Sequence, residues 1–159
     1  GREIRKMVIS RMKTEDVTDA ARIEEKIFST PWSEQSFLEA LEQEYTVFFV
    51  AKEEEHCVGY IGAYFAADEA EITNAAVDME YRRRHIAEAL VAEMQKEAAK
   101  RGTHSIFLEV RCSNTGAIAL YQKMGFSICG TRRGFYEKPK EDAYVMVYTP
   151  EISTTTGED

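Results

Sequence analysis

No apolar run in the chain approaches the roughly 18 residues that a membrane-spanning helix requires; the longest are VFFVA at 47–51 and GYIGAYFAA at 59–67. The first residues lack the pattern of a signal peptide. Cysteine is scarce and odd in number, and Cys57, Cys112 and Cys129 have neither zinc-ribbon nor redox spacing, so they read as reduced thiols of a cytoplasmic protein. His56, His85 and His104 stand at no ligand spacing from cysteines or acids, which predicts no structural or catalytic metal. Nothing repeats with a period of 20 to 50 residues, and no proline-rich or glycine-rich linker divides the chain. Cations are in deficit, 20 Lys and Arg against 28 Asp and Glu for a formal net charge of -8. That balance argues against binding nucleic acid through overall charge and favours a basic or amine-bearing partner. Neither nucleic acid nor membrane is an expected partner.

What remains is a chain of 159 residues, 44% hydrophobic, enough for one folded unit with a substantial core. We place that unit at 7–150, with GREIRK (1–6) as an extension and a polar, disordered tail at 151–159. Periodicity predicts a strand at VISRM (8–12), a helix from Val17 to Phe28, and a second helix capped by Ser33 and carrying Phe37, Leu38 and Leu41. A hairpin of TVFFVAK and CVGYIGAYF turns at EEEH, and EAEITNAAV (69–77) follows as a strand. Ile86 to Arg101 reads as an amphipathic helix with Ile86, Leu90, Met94 and Ala98 on one face, closed by Gly102. SIFLEV (105–110) is a strand, Asn114 to Met124 a helix stopped by Gly125, and SICGTRR and AYVMVY are strands separated by a loop, GFYEKPKED. The order βααβββαβαββ predicts an α/β or α+β layer with helices packed on a mixed sheet.

Against the acidic background, YRRRHIAEAL (81–90) runs three arginines into the mouth of a helix. A helix start presents free N–H groups and a positive dipole end, so Arg82, Arg83 and Arg84 beside His85, Ile86, Ala87 and Glu88 can hold a diphosphate. A solvated basic turn paired with Glu80 and Glu88 explains the same residues. The run lacks GxxxxGKS/T and GxGxxG, which excludes the common triphosphate and dinucleotide loops.

VDMEYRRRHIAEALV resembles the acetyl-CoA signature of the Gcn5-related N-acetyltransferases, in which a strand ending in Val-Asp precedes Arg/Gln-x-x-Gly-x-Gly/Ala. Arg82 takes the first place of that pattern, His85 its glycine and Ala87 its last position. Histidine tolerates the left-handed backbone region better than most residues. LEVRCSNTGAIALYQKMGF (108–126) is similar to the family's second cofactor-contacting block, most of all to that of the bacterial ribosomal-protein alanine N-acetyltransferases, and FYEKPKEDAYVM resembles their tyrosine-bearing loop and the strand after it. Together these motifs cover about residues 7 to 150.

The resemblance implies a mixed sheet of about seven strands with helices on both faces and splayed central strands. It implies acetyl-CoA as co-substrate, a pantetheine arm lying along Ala75, Ala76 and Val77, and Asn114 touching it from the far side. Glu109 matches the general base and Tyr121 the general acid, and the Val77 N–H is our candidate oxyanion donor. The residues alone admit other roles. Glu109 can be an outward glutamate balanced by Arg111, Tyr121 a core tyrosine, Asn114 a helix cap, Tyr136 either a wall of the peptide entrance or a packed loop aromatic, and Cys112 a buried filler. The implied activity is direct transfer of acetyl, within a ternary complex, to the N-terminal amine of a protein, an alanine-starting ribosomal protein of the S18 kind. The rivals are a lysine or small-molecule amine as acceptor, and a non-catalytic acyl-CoA-binding module.

Overall fold

The computed structural model describes residues 7–82 and 85–150. The extension expected at 1–6, the tail at 151–159, and Arg83 and Arg84 lie outside the described residues. The elements run β1 (Met7–Arg11), α1 (Val17–Ile27), α2 (Glu34–Leu41), β2 (Thr46–Glu53), β3 (His56–Ala66), β4 (Glu69–Val77), α3 (Ile86–Lys100), β5 (Ser105–Arg111), α4 (Thr115–Lys123), β6 (Ser127–Glu137) and β7 (Lys140–Tyr148). Seven strands form one mixed sheet in the order β1-β2-β3-β4-β5-β7-β6, antiparallel except where β4 meets β5. No helix among the described residues is long and apolar enough to cross a membrane.

The run VFFVA in β2 is apolar throughout because the strand is covered on both faces. Val47, Phe49 and Ala51 point to the side where α3 lays down Ile86, Leu90, Met94 and Ala98, while Phe48 and Val50 point to α1 and α2. Ser33 caps α2, its Oγ accepting the Ser36 N–H at 3.1 Å. Phe37, Phe48 and Trp32 pack ring on ring beneath that helix, with centroids 5.2 to 5.9 Å apart. Gly62 makes room for this cluster, since a Cβ there would fall 2.2 Å from the Phe48 ring.

The last two strands differ from the expectation. GFYEKPKED is not a loop: β6 continues to Glu137, β7 begins at Lys140, and only Lys138 and Pro139 remain as the turn. Register breaks between Arg132 and Tyr136, where Gly134 sits at φ +61 and its N–H donates to Asp142 Oδ1 at 2.8 Å. This bulge interrupts the period of two that reveals a strand in sequence. Tyr136 therefore stands on β6, opposite Glu141, and not on a loop.

The feature that positions the site is a short pairing. β4 meets β5 only at Glu69–Ser105, Ala70–Ile106 and Glu71–Phe107. Just beyond, β4 has an extra residue, Thr73, between the partners of Gly62 and Ala63, and such a bulge bends its strand. From Ile72 to Val77 the β5 side of β4 has no strand partner among the described residues.

Candidate active site

A cavity of about 950 Å³ opens between the diverging strands, walled also by the start of α3, by α4, by the segment 28–32 and by the tip of the β6–β7 hairpin. Glu109 and Tyr121 both line it.

On one wall, β4 offers its free edge. Asp78 N–H donates to Val58 at 2.8 Å, and an antiparallel ladder alternates every two residues. Ala76 therefore bonds toward β3, whereas Ala75 and Val77 turn their N–H and C=O groups to the cavity. Arg82 folds back so that its Nε donates to the Val77 carbonyl at 3.4 Å. His85 occupies the left-handed region, φ 60 and ψ 20, as the residue before α3, and its side chain does not cap the helix. The first-turn N–H groups thus lack a side-chain cap from it, and that side chain is 77% exposed. Glu88 Oε2 gathers Lys123 Nζ at 3.0 Å and His85 Nδ1 at 3.2 Å, and these two contacts, in that order, hold its carboxyl below the usual range. Across the cavity Asn114 caps α4, its Oδ1 accepting the Ala117 N–H at 3.1 Å.

The alternation read from SIFLEV holds: Ile106, Leu108 and Val110 are buried, with Phe107 and Glu109 on the other face. Arg111, however, does not balance Glu109. Its guanidinium donates to the carbonyls of Pro139 (2.9 Å) and Lys138 (3.0 Å) and to Glu141 Oε1 (3.1 Å), and stacks over Tyr136 with Cζ 4.2 Å from the ring centre. The cation on Glu109 is Arg132, Nη1 to Oε2 at 3.0 Å. Glu71 also reaches Glu109. Burial, a hydrogen bond to Glu109 and repulsion by its charge push the Glu71 carboxyl up, with Arg132 opposing. Burial raises Tyr136 as well, followed by the charge of Glu109.

Tyr121 is 9% exposed and packs its ring 5.4 Å from Phe126. Burial pushes its phenol up to about 12, so it remains a proton donor at neutral pH. Cys112 is half-buried and does not line the cavity.

Sequence reasoning missed Arg132, Glu71, Lys123 and Glu24. The last had a legible signal: positions 17, 20, 24 and 27 form one helical stripe, and a glutamate in that stripe is out of pattern. Among the described residues, no group of three or more His, Cys, Asp or Glu side chains could hold a metal ion.

The uncovered strand edge lies beside the start of α3, and comparison with known proteins shows the family. Residues 17–126 match the acetyltransferase (GNAT) family. The chain belongs to that family. Among its GNAT relatives, the [ribosomal protein bS18]-alanine N-acetyltransferase of Escherichia coli K12 is 36% identical over 144 residues, 87% of this chain and 94% of the relative. The crystal structure of the ribosomal-protein-S18-alanine N-acetyltransferase from Escherichia coli superposes with a TM-score of 0.85 at 31% identity, covering 97% of this chain and all of that one. Arabidopsis thaliana NAA60 in complex with acetyl-CoA shares the GNAT fold, with a TM-score of 0.82 at 22% identity over 91% of this chain and 98% of that one.

Proposed function

We propose that this protein transfers acetyl from acetyl-CoA to the N-terminal α-amine of a protein, with an alanine-starting ribosomal protein of the S18 kind as its cytoplasmic substrate. One observation carries the reading: Glu109 and Tyr121 line the same cavity as the free edge of β4 and the start of α3. Acetyl-CoA supplies the activated thioester. Its diphosphate suits the N–H groups opening α3 together with the arginines beside them, and its pantetheine arm suits the free edge at Ala75 and Val77, as an added strand would. Asn114 keeps its amide nitrogen for the same arm.

The chain's own groups then divide the proton work. An α-ammonium has a pKa near 7.7 to 8.0, so Glu109, acting directly or through one water, draws off its proton at modest cost. The Val77 N–H, on the cavity edge, donates to the negative charge that develops on the carbonyl oxygen. Tyr121 gives its proton to the departing sulfur.

Two observations favour a chain terminus over an internal lysine, together with the names of the relatives. Ser29 Oγ donates to the Lys138 carbonyl, so the segment after α1 is tied to the hairpin tip across the mouth. Arg111 grips that tip from below. A chain end passes such a bridged mouth more readily than a mid-chain segment, whose two flanks must both leave it.

The test is mass spectrometry of products after incubation with acetyl-CoA, an Ala-starting peptide, and the same peptide N-blocked but carrying lysine. Acetylation of the first alone is expected. Acetylation of the second, or of neither, would transfer the assignment to a lysine acetylase or to an acyl-CoA-binding module.

A further inference from the structure

Glu24 on α1 is 2% exposed and lines the cavity, and no cation lies within ion-pair distance of it among the described residues. Taking a carboxylate out of water is costly unless donors replace the water, and here three do. Oε1 accepts the Trp32 N–H at 2.8 Å; Oε2 accepts the Tyr60 hydroxyl and Asn74 Nδ2, the latter at 3.2 Å.

The three donors come from separate pieces of the molecule: the segment between α1 and α2, strand β3, and strand β4. Asn74 immediately precedes Ala75, where the free edge begins to face the cavity. Trp32 ends the segment whose other end, Ser29, is tied to the Lys138 carbonyl. The segment is thus suspended between two walls of the cavity, and Glu24 is its anchor on the cofactor side. An aliphatic residue would complete the stripe of α1 at lower cost, and a buried carboxylate is weak evidence for stability. Its geometry specifies instead a distance, from the segment to β4.

We infer that Glu24 is a positioning residue for the acceptor amine: by latching Trp32 to Tyr60 and Asn74, it fixes where the first residue of the peptide sits relative to the acetyl-bearing edge of β4. This inference rests on the N-terminal acetyltransferase reading above.

The test compares Glu24→Ala/Tyr60→Phe with Glu24→Gln in the full chain. The double variant removes both halves of the buried pair and so leaves no orphaned phenol. Glu24→Gln keeps an acceptor for the Trp32 N–H. Each protein is assayed for acetyl-CoA affinity by calorimetry, for KM and kcat on an Ala-starting peptide, and for emission and acrylamide quenching of Trp32, the single tryptophan. The double variant is expected to raise the peptide KM about tenfold or more, with kcat and acetyl-CoA affinity within about threefold of the parent, because the loss falls on amine placement. Its Trp32 emission shifts red and becomes quenchable, and Glu24→Gln recovers both KM and emission.

An unchanged peptide KM in the double variant overturns the inference. So does an equal loss of acetyl-CoA affinity, which marks a general structural role, or a Glu24→Gln protein as impaired as the double variant, which assigns the effect to charge alone. If the double variant does not fold, Asn74→Ala cuts the link to β4 only and is judged by the same KM criterion. A parent protein inactive on every peptide overturns the functional reading itself, whereas an active parent with an unmoved KM overturns this inference alone.

Discussion

Arg132 reaches across β7 from β6 to set Nη1 3.0 Å from Oε2 of Glu109. The ion pair leaves Glu109 largely buried, its side chain 14% exposed, and oriented within the cavity. Glu109→Gln preserves the shape and removes the base. We expect kcat to fall by about 10² or more with acetyl-CoA affinity unchanged, as for loss of general base catalysis. Stopped-flow or coupled thiol assays alongside calorimetry check both halves, and an undiminished kcat removes Glu109 from the mechanism.

Tyr121 is the companion case. Tyr121→Phe should lower kcat by about 10- to 100-fold without weakening acetyl-CoA. Its raised phenol also makes a pH prediction. A group whose folded-state value lies above its ordinary 10.0 gives stability that is complete below pH 10 and lost as pH climbs toward about 12. Ultraviolet titration of tyrosinate should show a phenol ionising near pH 12 in the parent and missing from Tyr121→Phe.

Glu71 and Glu109 are like charges at the point where β4 and β5 part. Because the Glu71 carboxyl is raised from 4.5, the stability this contact provides is complete at lower pH and declines as pH rises through the raised value. Glu71→Gln should therefore be more stable than the parent at pH 7, by less than about 1 kcal/mol given the partial exposure. The difference should close below pH 4, as urea denaturation at each pH will show.

The helix mouth yields two opposed substitutions. Holding His85 at φ 60 costs folding about 1 kcal/mol, which glycine does not incur, so His85→Gly should fold at least as stably and keep its acetyl-CoA affinity, since the side chain gives α3 no cap. His85→Val, β-branched at positive φ, should lose about 1 to 2 kcal/mol in urea denaturation.

Glu88 places a negative charge on the cavity wall at that same mouth and occupies Lys123. Glu88→Gln should tighten acetyl-CoA binding several-fold at low ionic strength, with the gain shrinking in high salt as screening lengths fall to about 3 Å at 1 M. Calorimetry across a salt series measures it. A salt-independent affinity equal to the parent would show that Glu88 does not face the bound anion.

Much of this was legible from local pattern. Gly102 and Gly125 end their helices at φ 73 and 96, Ser33 and Asn114 cap theirs, and β5 alternates as its six letters say. Both strands of the β6–β7 hairpin were legible but not their extension through GFYEKPKED, because the bulge at Gly134 is stabilised by the Asp142 side chain and breaks the period of two. Arg111 looked like the partner of Glu109 because they are neighbours but one in sequence; in a strand such neighbours share a face, yet Arg111 is drawn instead to the hairpin carbonyls.

The chain's letters alone determined the order of elements, the face on which Glu109 stands, and the place of the helix mouth, since each depends on residues within a few positions of one another. Only the tertiary structure decided how far β4 runs beside β5 before leaving it, which arginine neutralises Glu109, and that Glu24 joins three separate pieces of backbone. Those outcomes depend on which strands become neighbours in the sheet, and contacts between residues distant in the chain leave no periodic trace in the sequence that makes them.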